Sequence, residues 1–266
     1  MRARILANII GKEWRNTFTK KSYLVFILVL PIILTGQSFW LVYSMTLEED
    51  PGEALPIPLE GLTVNLEAAV ELTPLERMPV FVFLQVPIFL LLVPVLVSNV
   101  LATYSIVEEK QTRTLEPLLA TPVTTRELLF GKTLSGAIPA VAIYWLCSGL
   151  LFLLLSLIGP RSVIPFMLEP LWLVSWLLLA PLIAILAYLL GVLASSRASE
   201  PKEAQALALV IILPLLGLVA LQVLGIVLFN LVNALLLAGG LALVSWLVLL
   251  LAVRSFQREQ ILVRWK

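Results

Sequence analysis

The chain has no histidine, one cysteine and few charges, with only 13% of its 266 residues being Asp, Glu, Lys or Arg. Each shortage excludes something. Without histidine, the commonest metal ligand and the side chain that titrates near neutral pH are missing, which weighs against several enzyme classes. Cys147 alone cannot close an internal disulfide, and inside an apolar run it reads as a small packing residue. A net charge of +1 gives no case for nucleic acid as a partner. The first residues show no small-residue cleavage site after a short apolar core, so no removed signal peptide is expected.

Apolar residues are what the chain has in excess. They make up 60% of it, and the mean hydropathy is +1.02. A soluble domain must cover its surface with polar side chains and does not look like this. The excess falls in long runs, so the fold class is an all-α membrane protein with several spans.

Residues 1–21 are basic, with Arg2, Arg4, Lys12, Arg15, Lys20 and Lys21 against Glu13 alone. Leu6, Ile10, Trp14 and Phe18 recur every four residues, and Arg4, Lys12 and Arg15 fall opposite. That pattern predicts an interfacial helix on the inner leaflet, with an unstructured basic anchor as the plainer alternative. Span 1 is expected at 22–44, kinked by Pro31, with a polar step at Thr35, Gly36, Gln37 and Ser38. The loop 45–78 holds eight acidic residues and one basic one, Arg77. Leu62, Leu66, Ala69 and Val70 have helical spacing within it. A solvated cap is the favoured reading over an external gate. Span 2 is expected at 79–107, where Pro87 and Pro94 share a face and Gln85 and Asn99 are polar. Spans 3 and 4 fall at 133–158 and 170–195. Residues 204–253 are fifty residues without a charge, hence two spans, 204–229 with Pro214 and 231–253. The break between them is expected near Asn230–Asn233, or part of 215–229 dips in and returns. The tail 254–266 is basic.

Charge then sets orientation. With both termini, the stretch 108–132 and the loop 196–204 in the cytoplasm, 16 of the 18 Lys and Arg lie inside. That is the positive-inside pattern for six spans.

The polar stretch 108–132 reads EEKQTRTLEPLLATPVTTRELLFGK. Thr114 can cap a short helix, Pro117 falls in its first turn, and Leu115, Leu118 and Leu119 give it an apolar face. Thr121-Pro122 stops it, and Thr124 with Glu127 forms a capping box for the next helix. A small amphipathic helix between two spans offers a surface on which a soluble partner can push.

This stretch resembles the loop between the second and third spans of ABC type-2 transporter permeases. Glu109, Thr114, Leu115, Glu116, Leu118, Leu119, Thr121, Pro122, Glu127, Leu128, Leu129, Gly131 and Lys132 match that pattern. Arg113 stands where the family usually has Gly. GKEWRN, with Lys12, Glu13 and Arg15, is similar to the opening of the family's elbow helix, and SSRASEPKEAQA to its second inner loop. The resemblance implies a homodimer of permease chains in the cell membrane, joined to two ATP-binding subunits that hold the ATP and Mg. This chain would then carry no cofactor and export a substrate. It makes 112–121 the coupling helix, with Glu109, Thr112, Arg113, Thr114, Leu115, Glu116, Leu118, Leu119, Thr121 and Pro122 as docking residues. Kinked spans 1, 2 and 5 would line the pathway, with Pro31, Gln37, Gln85, Pro87, Pro94, Asn99 and Pro214 as lining or hinge residues. A membrane anchor or assembly factor without transport is the alternative.

No span so bounded holds a charged residue, which argues against ion coupling inside the chain. Gly131-Lys132-Thr133 is similar to the end of a phosphate-binding loop, but the glycine required five residues before Gly131 is Arg126. Glu108-Glu109 with Arg113 fits a membrane-protease pattern, yet such enzymes also need histidines. The chain itself is therefore not expected to be an enzyme. Spans this apolar suggest a lipid-like or amphipathic cargo.

Overall fold

The computed structural model describes residues 3–18, 21–47, 59, 62–111, 125–197, 212–223 and 227–255. Among them no strand forms. The helices are α1 (Ala3–Phe18), α2 (Lys21–Ser44), α3 (Leu66–Val70), α4 (Pro74–Leu90), α5 (Leu92–Gln111), α6 (Thr125–Ile158), α7 (Pro170–Val174), α8 (Ala180–Arg197), α9 (Ile212–Val223) and α10 (Leu231–Ser255). Five stretches of described residues are long and apolar enough to cross a membrane: Ile27–Ser44, Pro74–Ser105, Glu127–Ile158, Pro170–Ser195 and Leu231–Arg254. The described part of the fifth expected span, α9, is a shorter apolar helix.

The most apolar 18-residue window of Pro74–Ser105 forms the middle of the bundle, with 78% of it buried, against 22–28% for the corresponding windows of Ile27–Ser44, Glu127–Ile158 and Leu231–Arg254. α5 packs along α8 and α6, α10 lies on α8, and α2 lies on α6 and α4. Close approach of α5 and α8 depends on small residues. A Cβ at Gly191 would come within 2.7 Å of the Ala102 Cβ.

Prolines shape the spans, each in its own way. Pro94 has no N–H for the Leu90 carbonyl, and its ring crowds that turn. The helix is interrupted at Leu91, between α4 and α5, and the Val95 N–H to Leu91 carbonyl bond is stretched to 3.5 Å. Pro181 is met by a wider turn. Ser175–Leu179 adopts π geometry, in which Ala180 N–H reaches the Ser175 carbonyl. The next carbonyl in that register, Trp176, would need the N–H that Pro181 lacks. The Trp145 indole of α6 donates to it instead, at 3.2 Å.

The connection between α6 and α7 is held by a carboxylate. Glu169, buried at the start of α7, accepts from the Thr63 hydroxyl and from the backbone N–H groups of Val64 and Asn65. Asn65 caps the five-residue α3. The four residues expected to share a helix face divide, with Leu62 and Ala69 buried and Leu66 and Val70 exposed. Leu62 precedes the helix, so its position is set by the Glu169-anchored turn rather than by helical period.

Gly136 on α6 faces the buried ring of Tyr188 on α8, and a Cβ there would come within 2.2 Å of that ring. Gly136→Ala therefore lowers stability in a detergent thermal melt, by about 1–3 kcal/mol of overpacking. Gly149→Ala, with open space around it, is the control and is neutral or mildly stabilising, since glycine is a poor helix residue.

Candidate functional site

The expected docking residues Thr112, Arg113, Thr114, Leu115, Glu116, Leu118, Leu119, Thr121 and Pro122 lie outside the described residues. Glu109 falls in the last turns of α5, and its side chain is not described. What the structure describes is how the two flanking helices are tied together. α5 runs to Gln111 and α6 begins at Thr125.

Both helices meet α1 at one buried polar cluster. Lys132, 2% exposed, is on α6, and Glu13, 7% exposed, is on α1. The Lys132 ammonium donates to Glu13 Oε1 at 2.9 Å and to Ser105 Oγ at 2.9 Å. Ser105, on α5, donates to Glu13 Oε2 at 2.8 Å. Three helices thus close a ring of three side chains. Burial pushes the Glu13 carboxyl up, but the Lys132 charge and the hydrogen bonds from Lys132 and Ser105 outweigh it, leaving the group below its ordinary value. The phenol of Tyr188, on α8, lies beside the Ser105 and Ser135 hydroxyls.

A second contact reinforces the first. Pro139 leaves the Ser135 carbonyl of α6 without its helical donor. The Trp14 indole of α1 supplies one, at 2.8 Å. Next to it, a Cβ on Gly131 would come within 3.1 Å of Ile9 Cγ2, so α1 and α6 are in tight contact there and a larger residue would need the Ile9 side chain to shift. One turn and a half of α1 therefore provides a packing residue, an acceptor and a donor, all to α6.

Sequence reasoning places Lys132 one residue outside span 3 and Glu13 on a basic surface helix. In the structure Lys132 lies inside α6, within the apolar stretch Glu127–Ile158, and the pair is internal. The sequence marks Glu13 as unusual, the one acid in a run of basic residues and on the Trp14 side of the helix rather than opposite it, but does not name its partner.

The proposed pathway residues are in different environments. Pro31, Pro87 and Pro94 are buried, and Pro214 is exposed. Gln37 is exposed on α2. Asn99 is buried and accepts from the Thr103 hydroxyl at 3.3 Å. Gln85 is half-buried, and its side-chain oxygen accepts from Gln222 Nε2 at 2.6 Å and from the Phe229 N–H at 3.1 Å. Gln222 also donates to the Gln85 backbone carbonyl, at 3.0 Å. The chain after α9 is thereby fastened to α4. It then turns into α10, where Asn230 accepts from the Asn233 N–H at 2.9 Å and the Asn233 amide donates to the Leu228 carbonyl at 2.7 Å. The Gln85 oxygen is thus paired while its Nε2 is buried without a hydrogen-bond partner among the described residues, and of the three polar candidates only Gln37 is exposed.

No group of His, Cys, Asp and Glu that could hold a metal occurs among the described residues. Lys132→Met leaves a buried carboxylate without its counter-charge and lowers stability by about 3–5 kcal/mol. Adding Glu13→Gln recovers most of that loss in a thermal melt of the same preparation. The lowered Glu13 value gives the pH sign. Its stabilisation is in place above the ordinary carboxylate value of 4.5 and is lost as pH falls through the lower folded value. A melt series therefore shows a decline as pH falls from 4.5 toward the lower folded value, and that decline is absent in the double variant.

Comparison with curated proteins and with solved structures gives no match. The profile of the family described as ABC-2 family transporter protein matches residues 7–238, from α1 through the first turns of α10. The matched length covers most of the chain and holds the whole cluster that joins α1, α5, α6 and α8. The chain belongs to the ABC-2 family of transporter proteins, as a membrane-spanning permease subunit.

Proposed function

We propose that this permease subunit exports its substrate from the cytoplasm, driven by a separate ATP-binding subunit that pushes on residues 112–121. The observation that carries the reading is the placement of this stretch. It joins α5 to α6, two helices of the bundle, and its sequence has the Thr, Leu and Pro pattern of a coupling helix. Leu115, Leu118 and Leu119 fill a groove on the ATPase, and Glu109, Arg113 and Glu116 make polar contacts at its rim. The ATP and Mg belong to that partner.

The assembly proposed is two permease chains and two ATP-binding subunits in the cell membrane. Six spans, with both termini in the cytoplasm, follow the positive-inside distribution of 16 of 18 basic residues. α1 then lies at the inner surface as the elbow helix. The long apolar spans suit an amphipathic or lipid-like cargo better than a sugar or an ion.

Two experiments test this. A tagged chain purified in mild detergent brings down a soluble ATPase in about equal amount; recovery with membrane proteins alone would favour an anchoring role. In the recovered complex, Glu116→Lys lowers permease-dependent ATP hydrolysis by about tenfold, the effect expected from placing a like charge or an unpaired charge in a docking groove. It does so without changing the amount of chain in the membrane. Unchanged hydrolysis in that variant removes residues 112–121 from the docking surface.

A further inference from the structure

The ring of Glu13, Ser105 and Lys132 sits at a particular place in the chain. Ser105 is six residues before the end of α5, and Lys132 is seven residues after the start of α6. At about 1.5 Å per residue, each lies roughly 10 Å from the point where its helix meets residues 112–124. One carboxylate on α1 therefore holds the root of both arms that carry this stretch, one through each of its oxygens. The Trp14 indole and the Ile9–Gly131 contact add two more attachments to α6. α1 in turn is separated from α2, the first span, by two residues.

We propose that Glu13 and Lys132 are positioning residues of the drive: they clamp α1 to α5 and α6, so that a displacement of residues 112–124 moves the inner ends of all three helices as one body and reaches the first span through α1. This rests on the reading of 112–121 as the stretch that an ATPase pushes. The physical case is that of a buried, hydrogen-bonded ion pair. Separating such partners exposes each to a large desolvation penalty, so the pair resists sliding where an apolar contact would slip. A surface helix held by lipid alone would be free to stay behind when α5 and α6 move. The geometry also assigns the order of the parts. Ser105 aligns the carboxylate, Lys132 neutralises it, and Trp14 sets the height of α1 along α6 by capping the one carbonyl that Pro139 opens.

The test uses the full chain with its co-purified ATPase, in a Cys147→Ala background. Nitroxide labels are placed at two exposed positions, Ala7 on α1 and Phe130 on α6. Distances are measured by pulsed electron resonance without nucleotide and after trapping with ATP, Mg and vanadate. The expected result is one α1–α6 distance in both states for the parent chain. In Glu13→Gln and Lys132→Met the distribution broadens and becomes nucleotide-dependent, and permease-dependent ATP hydrolysis falls about fivefold or more. Lys132→Arg, which keeps the charge, restores the single distance.

If Lys132→Met fails to accumulate, the Glu13→Gln/Lys132→Met double variant removes both charges and still shows a nucleotide-dependent distance. A parent distance that changes on trapping overturns the clamp, and so does a double variant whose distance stays fixed. If no ATPase co-purifies, the transporter reading fails and this role fails with it. An ATPase that co-purifies with a moving α1–α6 distance defeats the clamp alone.

Discussion

A carbonyl opened by a proline inside a membrane has no water to turn to. That constraint organises much of what this bundle does with its tryptophans. Pro139 opens the Ser135 carbonyl and the Trp14 indole closes it; Pro181 opens the Trp176 carbonyl and the Trp145 indole closes it. In each case the donor comes from a neighbouring helix. A local defect is thereby converted into a contact between elements, with direction and register that apolar packing alone would not supply. The indole suits the task because it brings a single donor on a large apolar body.

The same logic, with charge added, explains the cluster where α1 meets α5 and α6. A lysine in an apolar helix is costly unless its three protons find acceptors. Lys132 finds Glu13 and Ser105, and Glu13 has one oxygen for each. The site is thus specified from two sides. Gly131 and Gly136 remove bulk so that α1 and Tyr188 can come close, and the polar ring rewards only the one arrangement that satisfies it. Such a ring adds little to net stability compared with well-packed apolar side chains. Its effect is to make wrong arrangements expensive.

Much of the fold was legible in the sequence, because lipid enforces simple rules. Long apolar runs mark spans, and a polar stretch between two of them marks a loop. The turn near Asn230 and Asn233 was readable because two amides in a charge-free run need partners, and short-range backbone groups provide them. The break at Leu91 was readable as a kink from Pro94, though its completeness was not, since other prolines here, such as Pro139, stay within continuous helix. The Glu13–Lys132 pair was not legible, and the reason is geometric. The residues are 119 apart, and each alone has an ordinary surface explanation. Periodicity places a residue on a face of its own helix. It says nothing about which helix that face will meet. Gln85 illustrates the same gap, since a lone polar residue in a span reads equally as lining or as glue until Gln222 and Phe229 are seen against it.

The Glu169 staple has a consequence for the long loop between α2 and α4. Three donors from residues 63–65 converge on a side chain that belongs to the connection between α6 and α7. The loop is therefore not one uniform stretch hung between the first two spans. Its later part shares an anchor with the far side of the bundle and has a fixed address. Length inserted beyond that anchor, between Asn65 and Thr73, would have to unseat a buried carboxylate. On the side nearer α2, Leu59 and Leu62 are buried as well, so the fixed part of the loop begins before the three donors.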